Sequence, residues 1–234
     1  MLGIWFRMLL PDHHLTNESK EVIKLGTGLI ATMAALVVGL LIASAKSDFD
    51  AQKGAFQQIS SNVVLLDRAL AHYGSETKDS RTLLRQSATT LLDRYWPTPD
   101  ASKRVDDAEL RTNTGAMYDS IRDLSPRTDA QRSIQNLALQ ISADLARARL
   151  QTSQREQGSI PFPYLVVLVF WLTVLFISFG LFAPTNLTVI GALFVCALSV
   201  GGALFLIVDL DQPYEGLIQV SPELLRSSIH QLGK

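Results

Sequence analysis

Three long uncharged runs constrain the fold of this chain more than any other feature. Residues 25–45, 163–182 and 187–208 contain no Asp, Glu, Lys, Arg or His. About 20 residues of α-helix, rising 1.5 Å each, cross roughly 30 Å of hydrocarbon. A single run of this kind also fits a buried helix of a soluble protein, but three in one chain predict three transmembrane helices. The predicted fold class is therefore all-α, a multi-span α-helical membrane protein.

The 115 residues between the first two runs are predicted to form a four-helix bundle outside the membrane. Apolar residues recur every three or four positions from Phe56 to Tyr73, which indicates one buried helix face, and Gly74 is a suitable stop. A second helix is predicted over 79–96, ended by Pro97, and a third over 105–124. A fourth begins after Ser125-Pro126, with its apolar stripe running from Ile134 to Ala148. Such a bundle leaves the first span and returns into the second.

The predicted spans and the bundle divide the chain into six parts. The N-terminal MLGIWFRMLL is too short to span a membrane, and no cleavage site follows it. Small residues in the first and third spans predict that these two form the packed interior, with the second facing lipid. The parts are an N-terminal segment (1–24), a first span (25–45), the bundle (46–160), two further spans (163–182 and 187–208) and a C-terminal tail with a short helix (209–234).

Composition and motifs argue against several classes of function. With 21 basic and 22 acidic residues, the chain lacks the basic excess that nucleic-acid binding needs. Its single cysteine, Cys196, excludes an intrachain disulfide and a cysteine-based metal site. Asp12-His13-His14 lies far in sequence from other ligands, and no nucleophile, phosphate-binding or metalloprotease motif occurs. We therefore predict no catalytic residue, no metal, no cofactor and no enzymatic activity.

The spans also lack the intramembrane carboxylates and histidines that proton pumps and ion-coupled carriers use. A pathway lined by hydroxyls and backbone suits passive conduction, with acidic groups at its mouth. The alternative is that these residues pack helices against each other or, for the two acids, pair with Lys46 or Arg155 or accept hydrogen bonds from a turn. The candidate pathway-lining residues are Thr27, Thr32, Gly39, Ser44, Asp209 and Asp211.

The segment after the third span is predicted to be a junction between two helices. Pro213 and Gly216 should break the helix of the third span. Ser221 is placed to cap a new helix, and Glu223 would lie in its first turn, where an acid is favourable. The prediction for these four residues is structural.

Three stretches carry a resemblance to a known family: LPDHHLTNESKEVIKLGTGLIATMAALVVGLLIASAK, LLDRALAHYG and DLDQPYEGLIQVSPELLR. They resemble the bestrophin-like domain of unknown function found in bacterial and plant membrane proteins. The family's members have a further hydrophobic helix before the LPxxHL stretch, of which MLGIWFRMLL would be the last part. Its name also implies likeness to bestrophins, which are oligomeric anion channels, at the level of the fold.

The leading hypothesis is an oligomeric, channel-like assembly in the lipid bilayer, made of copies of this chain. The alternative is a membrane-anchored sensory or scaffold protein that acts through a protein partner not identified by the sequence. The expected location is the bacterial inner membrane. The bundle is predicted to be cytoplasmic, because the basic residues near the membrane favour that side. Those on the bundle side are Lys46, Lys53, Arg149, Arg155 and Arg226, against Arg7, Lys20 and Lys24 on the other.

Overall fold

A computed structural model describes residues 17–97, 107–155, 162–182, 186–214 and 216–233. Within these residues the chain is helical and contains no strand, which confirms the all-α fold. A short 3₁₀ turn, Ser75–Thr77, joins the first two α-helices. The α-helices are α1 (Asn17–Tyr73), α2 (Lys78–Tyr95), α3 (Asp107–Arg122), α4 (Asp129–Arg155), α5 (Phe162–Phe182), α6 (Leu187–Leu210) and α7 (Glu223–Gln231).

The first span and the first helix of the bundle form one continuous helix. α1 contains 57 residues, a length of about 85 Å at 1.5 Å per residue. No proline lies between Asn17 and Tyr73, and the polar residues that follow Ala45 are compatible with a helix. The helix ends at the predicted Gly74, whose φ of 136° lies in the region that favours glycine.

In the described part of the chain, three helices are long and apolar enough to cross a membrane: α1, α5 and α6. The stretch MLGIWFRMLL, which the resemblance implies is the last part of a further helix, lies outside the described residues. α2 ends before Pro97, as predicted, with the Trp96 N–H donating to the Leu92 carbonyl at 2.9 Å. α3 is described from Asp107 and ends at Arg122, two residues before its predicted end.

The predicted start of the fourth bundle helix at Ser125-Pro126 is wrong by about three residues. α4 begins at Asp129, and Thr128 precedes it as the capping residue. The Gln131 N–H donates to Thr128 Oγ1 at 3.1 Å, and Gln131 Oε1 accepts the Arg127 N–H at 2.9 Å. This exchange resembles a capping box, which satisfies two helix-end donors and sets the helix start at Asp129.

The described residues fall into two compact units. The membrane unit comprises 17–48, 162–182 and 186–212, and the bundle unit comprises 49–97, 107–155, 213–214 and 216–233. α1 contributes to both units, and the C-terminal segment with α7 belongs to the bundle unit.

The core of the membrane unit lies between α1 and α5, with one contribution from α6. Its buried side chains are Ala34 and Leu41 of α1, Leu168 and Leu175 of α5, and Ile207 of α6. The prediction that α5 faces lipid while α1 and α6 pack together is therefore wrong within the chain. A Cβ at Gly39 or Gly191 would meet no atom within 4 Å, so these small residues do not mark a close helix contact inside one chain.

The bundle unit is built around the predicted apolar stripes. Every predicted stripe residue of α1 and α2 is buried, and on α4 the buried members are Ala138, Leu145 and Ala148. Met117 and Ile121 supply the contribution of α3. The stripes that the sequence predicts are Phe56, Ile59, Val63, Leu66, Leu70 and Tyr73 on α1, and Leu84, Ala88, Leu91 and Tyr95 on α2.

Candidate functional site

The membrane part of α1 has two unlike faces. Thr27, Ala34 and Leu41 recur every seven residues and are all buried. Residues seven apart lie on nearly the same side of an α-helix, so these three form one inward face. The opposite, outward face carries exposed side chains. Within the chain, Leu25 is 76% exposed and Leu36 is 75% exposed.

Thr32 and Gly39 lie on the outward face of α1. Both are exposed, and the Thr32 hydroxyl donates to the Leu29 carbonyl of its own helix at 2.8 Å. Ser44 is also exposed, but its five-residue separation from Gly39 turns it by about 140°. The structure thus brings Thr32 and Gly39 to one face and places Ser44 beside it.

Thr27 lies on the inward face, which corrects its grouping with Thr32 and Gly39. Its hydroxyl donates to the Ile23 carbonyl at 2.6 Å and lies 3.0 Å from Ser178 Oγ of α5. Because the Thr27 proton is used within α1, the Ser178 hydroxyl is the donor between the two. Thr27 joins two spans by a hydrogen bond at the wall of a cavity of about 400 Å³, and it does not belong to the outward face.

The two predicted mouth residues lie at the end of α6. Asp209 is buried and Asp211 is partly buried, and both take part in further interactions within the chain. The Asp211 N–H donates to the Ile207 carbonyl at 3.2 Å and closes the helix. The helix therefore ends at Leu210, before Pro213 and Gly216, which the sequence had predicted as its breakers.

Pro213 and Gly216 instead shape the loop that follows. The Val220 N–H donates to the Pro213 carbonyl at 2.8 Å and closes this loop. Gly216 has φ of 94°, a backbone conformation that side-chain-bearing residues rarely adopt. Ser221 lies one residue before the N-cap, Pro222, and its Oγ accepts the Glu223 N–H at 3.3 Å. Glu223 opens α7 and pairs with Arg226 at 2.9 Å.

An aromatic cluster holds this loop against the bundle. The ring of Tyr214 lies 4.6 Å from that of Tyr95 and 5.7 Å from that of Phe56, and the ring of Trp96 lies 4.9 Å from that of Phe56. The Tyr214 hydroxyl donates to the buried Gln52 side chain, and Trp96 Nε1 donates to the Val220 carbonyl at 3.1 Å. Sequence reasoning did not bring these rings together, because they come from three separate segments.

A C-terminal clasp, formed by Asp67, Arg81, Arg85, Leu232 and Gly233, ties the end of the chain to the bundle. Arg81 donates to both oxygens of Asp67, at 2.7 and 2.9 Å, and the Gly233 N–H donates to Asp67 Oδ2 at 3.2 Å. Arg85 donates to the Leu232 carbonyl. Burial raises the pKa of Asp67, but the bonds from Arg81 and Gly233 outweigh it and hold that pKa below its ordinary value. The clasp was not predicted from the sequence.

No metal centre is apparent among the residues with a described position. There, no three His, Cys, Asp or Glu side chains lie close enough to hold a metal ion. His72 and His230 are exposed, and His13 and His14 lie outside the described residues.

A known family and solved structures match nearly the whole length of this chain. A family model described as "Bestrophin-like domain" matches residues 1–225, whereas no curated protein matches. A crystal structure of a mutant bacterial bestrophin homologue from Klebsiella pneumoniae is similar, with a TM-score of 0.72 and 11% identity over 99% of this chain and 95% of that one. Another structure of a bacterial bestrophin homologue from the same organism gives 0.68 and 13% identity over 99% and 94%. A variant of a solved protein described as a membrane protein gives 0.72 and 12% over 99% and 93%.

Proposed function

The chain belongs to the bestrophin-like domain family, and on that premise we propose that it is a subunit of an oligomeric, channel-like assembly. The observation that carries the proposal is the outward face of α1. Thr32 and Gly39 are exposed there, while the opposite face of the same helix packs on α5 through Ala34 and Leu41. A face of this kind, repeated around a symmetry axis, would line a pathway.

One chain does not enclose such a pathway, because its outward face is open on one side. Closed cyclic symmetry is the usual way in which copies of one chain complete a wall. The exposed faces of α1 and α6 supply surface for contacts between copies, and Ile207 is the one described residue of α6 among the buried members of the apolar cluster in the membrane unit. The proposed partner is therefore a further copy of this chain within the lipid bilayer.

The chemistry of the outward face suits passive conduction. It carries a hydroxyl at Thr32, exposed backbone at Gly39 and apolar side chains, and the span from 25 to 45 holds no ionisable group. An ion on this path would keep much of its water and would meet no group that exchanges protons. Asp209 and Asp211 stay candidates for a mouth, alongside their structural role at the end of α6. The proposal does not include an enzymatic activity.

The proposed location is the inner membrane of a bacterium, with the bundle in the cytoplasm. Basic residues close to the spans, such as Lys46 and Lys53, lie on the bundle side in the sequence, and such residues favour the cytoplasm. Labelling of a cysteine introduced into the bundle by an impermeant reagent, in intact cells and in inverted vesicles, tests this orientation.

Reconstitution into liposomes tests conduction. Liposomes that contain the purified protein are expected to pass chloride or potassium faster than empty liposomes. Gly39→Phe should lower the flux at least several-fold, because the ring enters the proposed pathway. Gly191→Phe is the matched control, since a Cβ at either glycine meets open space within the chain. Oligomer size, measured for each variant by light scattering, separates a blocked pathway from a failed assembly. No flux of either ion would overturn the channel proposal and favour the scaffold alternative.

A further inference from the structure

A buried arginine in the bundle unit has no anionic partner in the described chain. Arg149 of α4 is only 7% exposed. Its Nη1 donates to Thr114 Oγ1 and its Nη2 lies 3.4 Å from the Ser87 carbonyl, while its buried Nε has no acceptor. Sequence reasoning counted this residue among the basic groups near the membrane on the bundle side. In the structure it lies inside the bundle.

The environment of Arg149 disfavours its charge. Burial lowers the pKa of Arg149 to about 10, and among the described residues a charge effect from Tyr95 acts in the opposite direction and raises that pKa. A guanidinium carries five N–H donors, of which two have partners among the described residues. A buried cation without a counter-charge is destabilising, so its presence calls for an explanation other than packing.

Arg149 lines a cavity between α3 and α4, which we name the α3–α4 cavity. Its volume is about 720 Å³, within the range of pockets that hold small organic molecules. Tyr118 and Leu150 supply large side chains to its wall, and Ser142 and Ser153 supply hydroxyls. The cavity lies within one unit and is open to the outside, so that a ligand has a route to it.

The charges on the wall favour an anion. Asp119 is the one carboxylate among the lining residues that the structure describes, and it is largely exposed and paired with Arg122 at 3.1 Å. Arg149 is the buried charge among the lining residues, and no described residue neutralises it. A guanidinium matches a carboxylate or a phosphate group well, because its planar donors can make two parallel hydrogen bonds.

We propose that the α3–α4 cavity binds a small organic anion whose carboxylate or phosphate group is held by Arg149. The apolar body of the ligand would lie against Leu150 and the ring of Tyr118. The proposal is independent of ion conduction, since the cavity belongs to the bundle unit alone.

Calorimetric titration of the full-length protein in detergent micelles tests the proposal with three anionic probes: benzoate, hexanoate and phenyl phosphate. At least one is expected to bind once per chain, and benzyl alcohol, the neutral counterpart of benzoate, should bind at least tenfold more weakly. The stronger of benzoate and phenyl phosphate identifies the preferred charged group. Repeating the titration with excess chloride shows whether any small anion competes equally, which would contradict an organic ligand.

Two variants and one control connect the binding to the cavity. Arg149→Met should weaken binding at least tenfold, and Ala146→Phe, which fills the cavity and keeps the arginine, should do the same. Arg147→Met is the matched control, because Arg147 lies two residues away on α4 and its side chain is 73% exposed. If Arg149→Met loses its helical circular dichroism signal, Ala146→Phe decides. Absence of binding by all three anions, or equal binding by wild type and Ala146→Phe, would overturn the proposal.

Discussion

Removal of the Asp67 carboxylate tests the C-terminal clasp. Asp67 accepts three hydrogen bonds, two from Arg81 at 2.7 and 2.9 Å and one from the Gly233 N–H at 3.2 Å. Its side chain is 8% exposed, whereas that of Arg81 is 25% exposed. Breaking a fully buried ion pair costs about 3–5 kcal/mol. Because Arg81 retains contact with water, the expected loss for Asp67→Ala is smaller, about 2–3 kcal/mol.

This loss converts into a measurable shift in melting temperature. For chains of this size, each kcal/mol lowers the melting temperature by roughly 2–4 °C. Asp67→Ala should therefore melt roughly 4–12 °C below wild type, measured by far-UV circular dichroism of the full-length protein in detergent. The double variant with Arg81→Ala should lose less than the sum of the two single losses, since both remove the same pair.

The control for Asp67 is Asp123, whose pair with Arg122 is exposed on both sides. Asp123→Ala should cost less than about 1 kcal/mol. If Asp67→Ala costs no more than Asp123→Ala, or if the losses at Asp67 and Arg81 add fully, the clasp does not stabilise the bundle and the reasoning is refuted.

Three further perturbations probe the pH dependence, the aromatic cluster and the loop. The folded pKa of Asp67 lies below its ordinary value. The stability that Asp67 gives the folded chain should therefore be complete above about pH 4 and be lost as the pH falls through the folded pKa. The difference in melting temperature between wild type and Asp67→Asn should shrink over that range, and a difference independent of pH would contradict this. Phe56→Ala removes a ring that is 3% exposed and should cost about 3–5 kcal/mol of stability. The control is Leu65→Ala on the same helix, where Leu65 is 51% exposed and the loss should stay under about 1 kcal/mol. Equal losses in chemical unfolding would argue against the cluster. Gly216→Ala forces a side chain onto φ of 94° and should cost about 1–3 kcal/mol, and an unchanged melting temperature would show that the loop relaxes freely.

Much of the helical architecture could be predicted because its signals are local. The uncharged runs predicted the spans, and the spacing of Phe56 to Tyr73 predicted a buried face that the structure confirms. The continuity of α1 was missed because a composition change at Ala45 resembles a boundary, although no residue there breaks a helix. The start of α4 was misplaced because Pro126 is a visible signal, whereas the hydrogen-bond exchange at Thr128 depends on rotamers.

The contacts that organise the candidate sites could not be predicted, because they join distant segments. Asp67 and Gly233 are 166 residues apart, and Trp96 and Val220 are 124 apart. Helical phase separates Arg149 from Arg147, two residues earlier, but it does not show that a charged side chain turns inward. The hydrogen bond of Thr27 could not be predicted for a similar reason, because its partner Ser178 lies on another span.

The outward face of α1 is tested most directly by cysteine accessibility during conduction. Replacing Cys196 by Ser gives a cysteine-free background, since the chain has one cysteine. Thr32→Cys places a thiol on the outward face, and Ala34→Cys places one on the inward face, where Ala34 is 1% exposed. In a planar bilayer, a charged methanethiosulfonate reagent is expected to reduce the current of Thr32→Cys by at least half and to leave that of Ala34→Cys unchanged. A current that is insensitive at Thr32, or blocked at Ala34 alone, would contradict a pathway lined by this face.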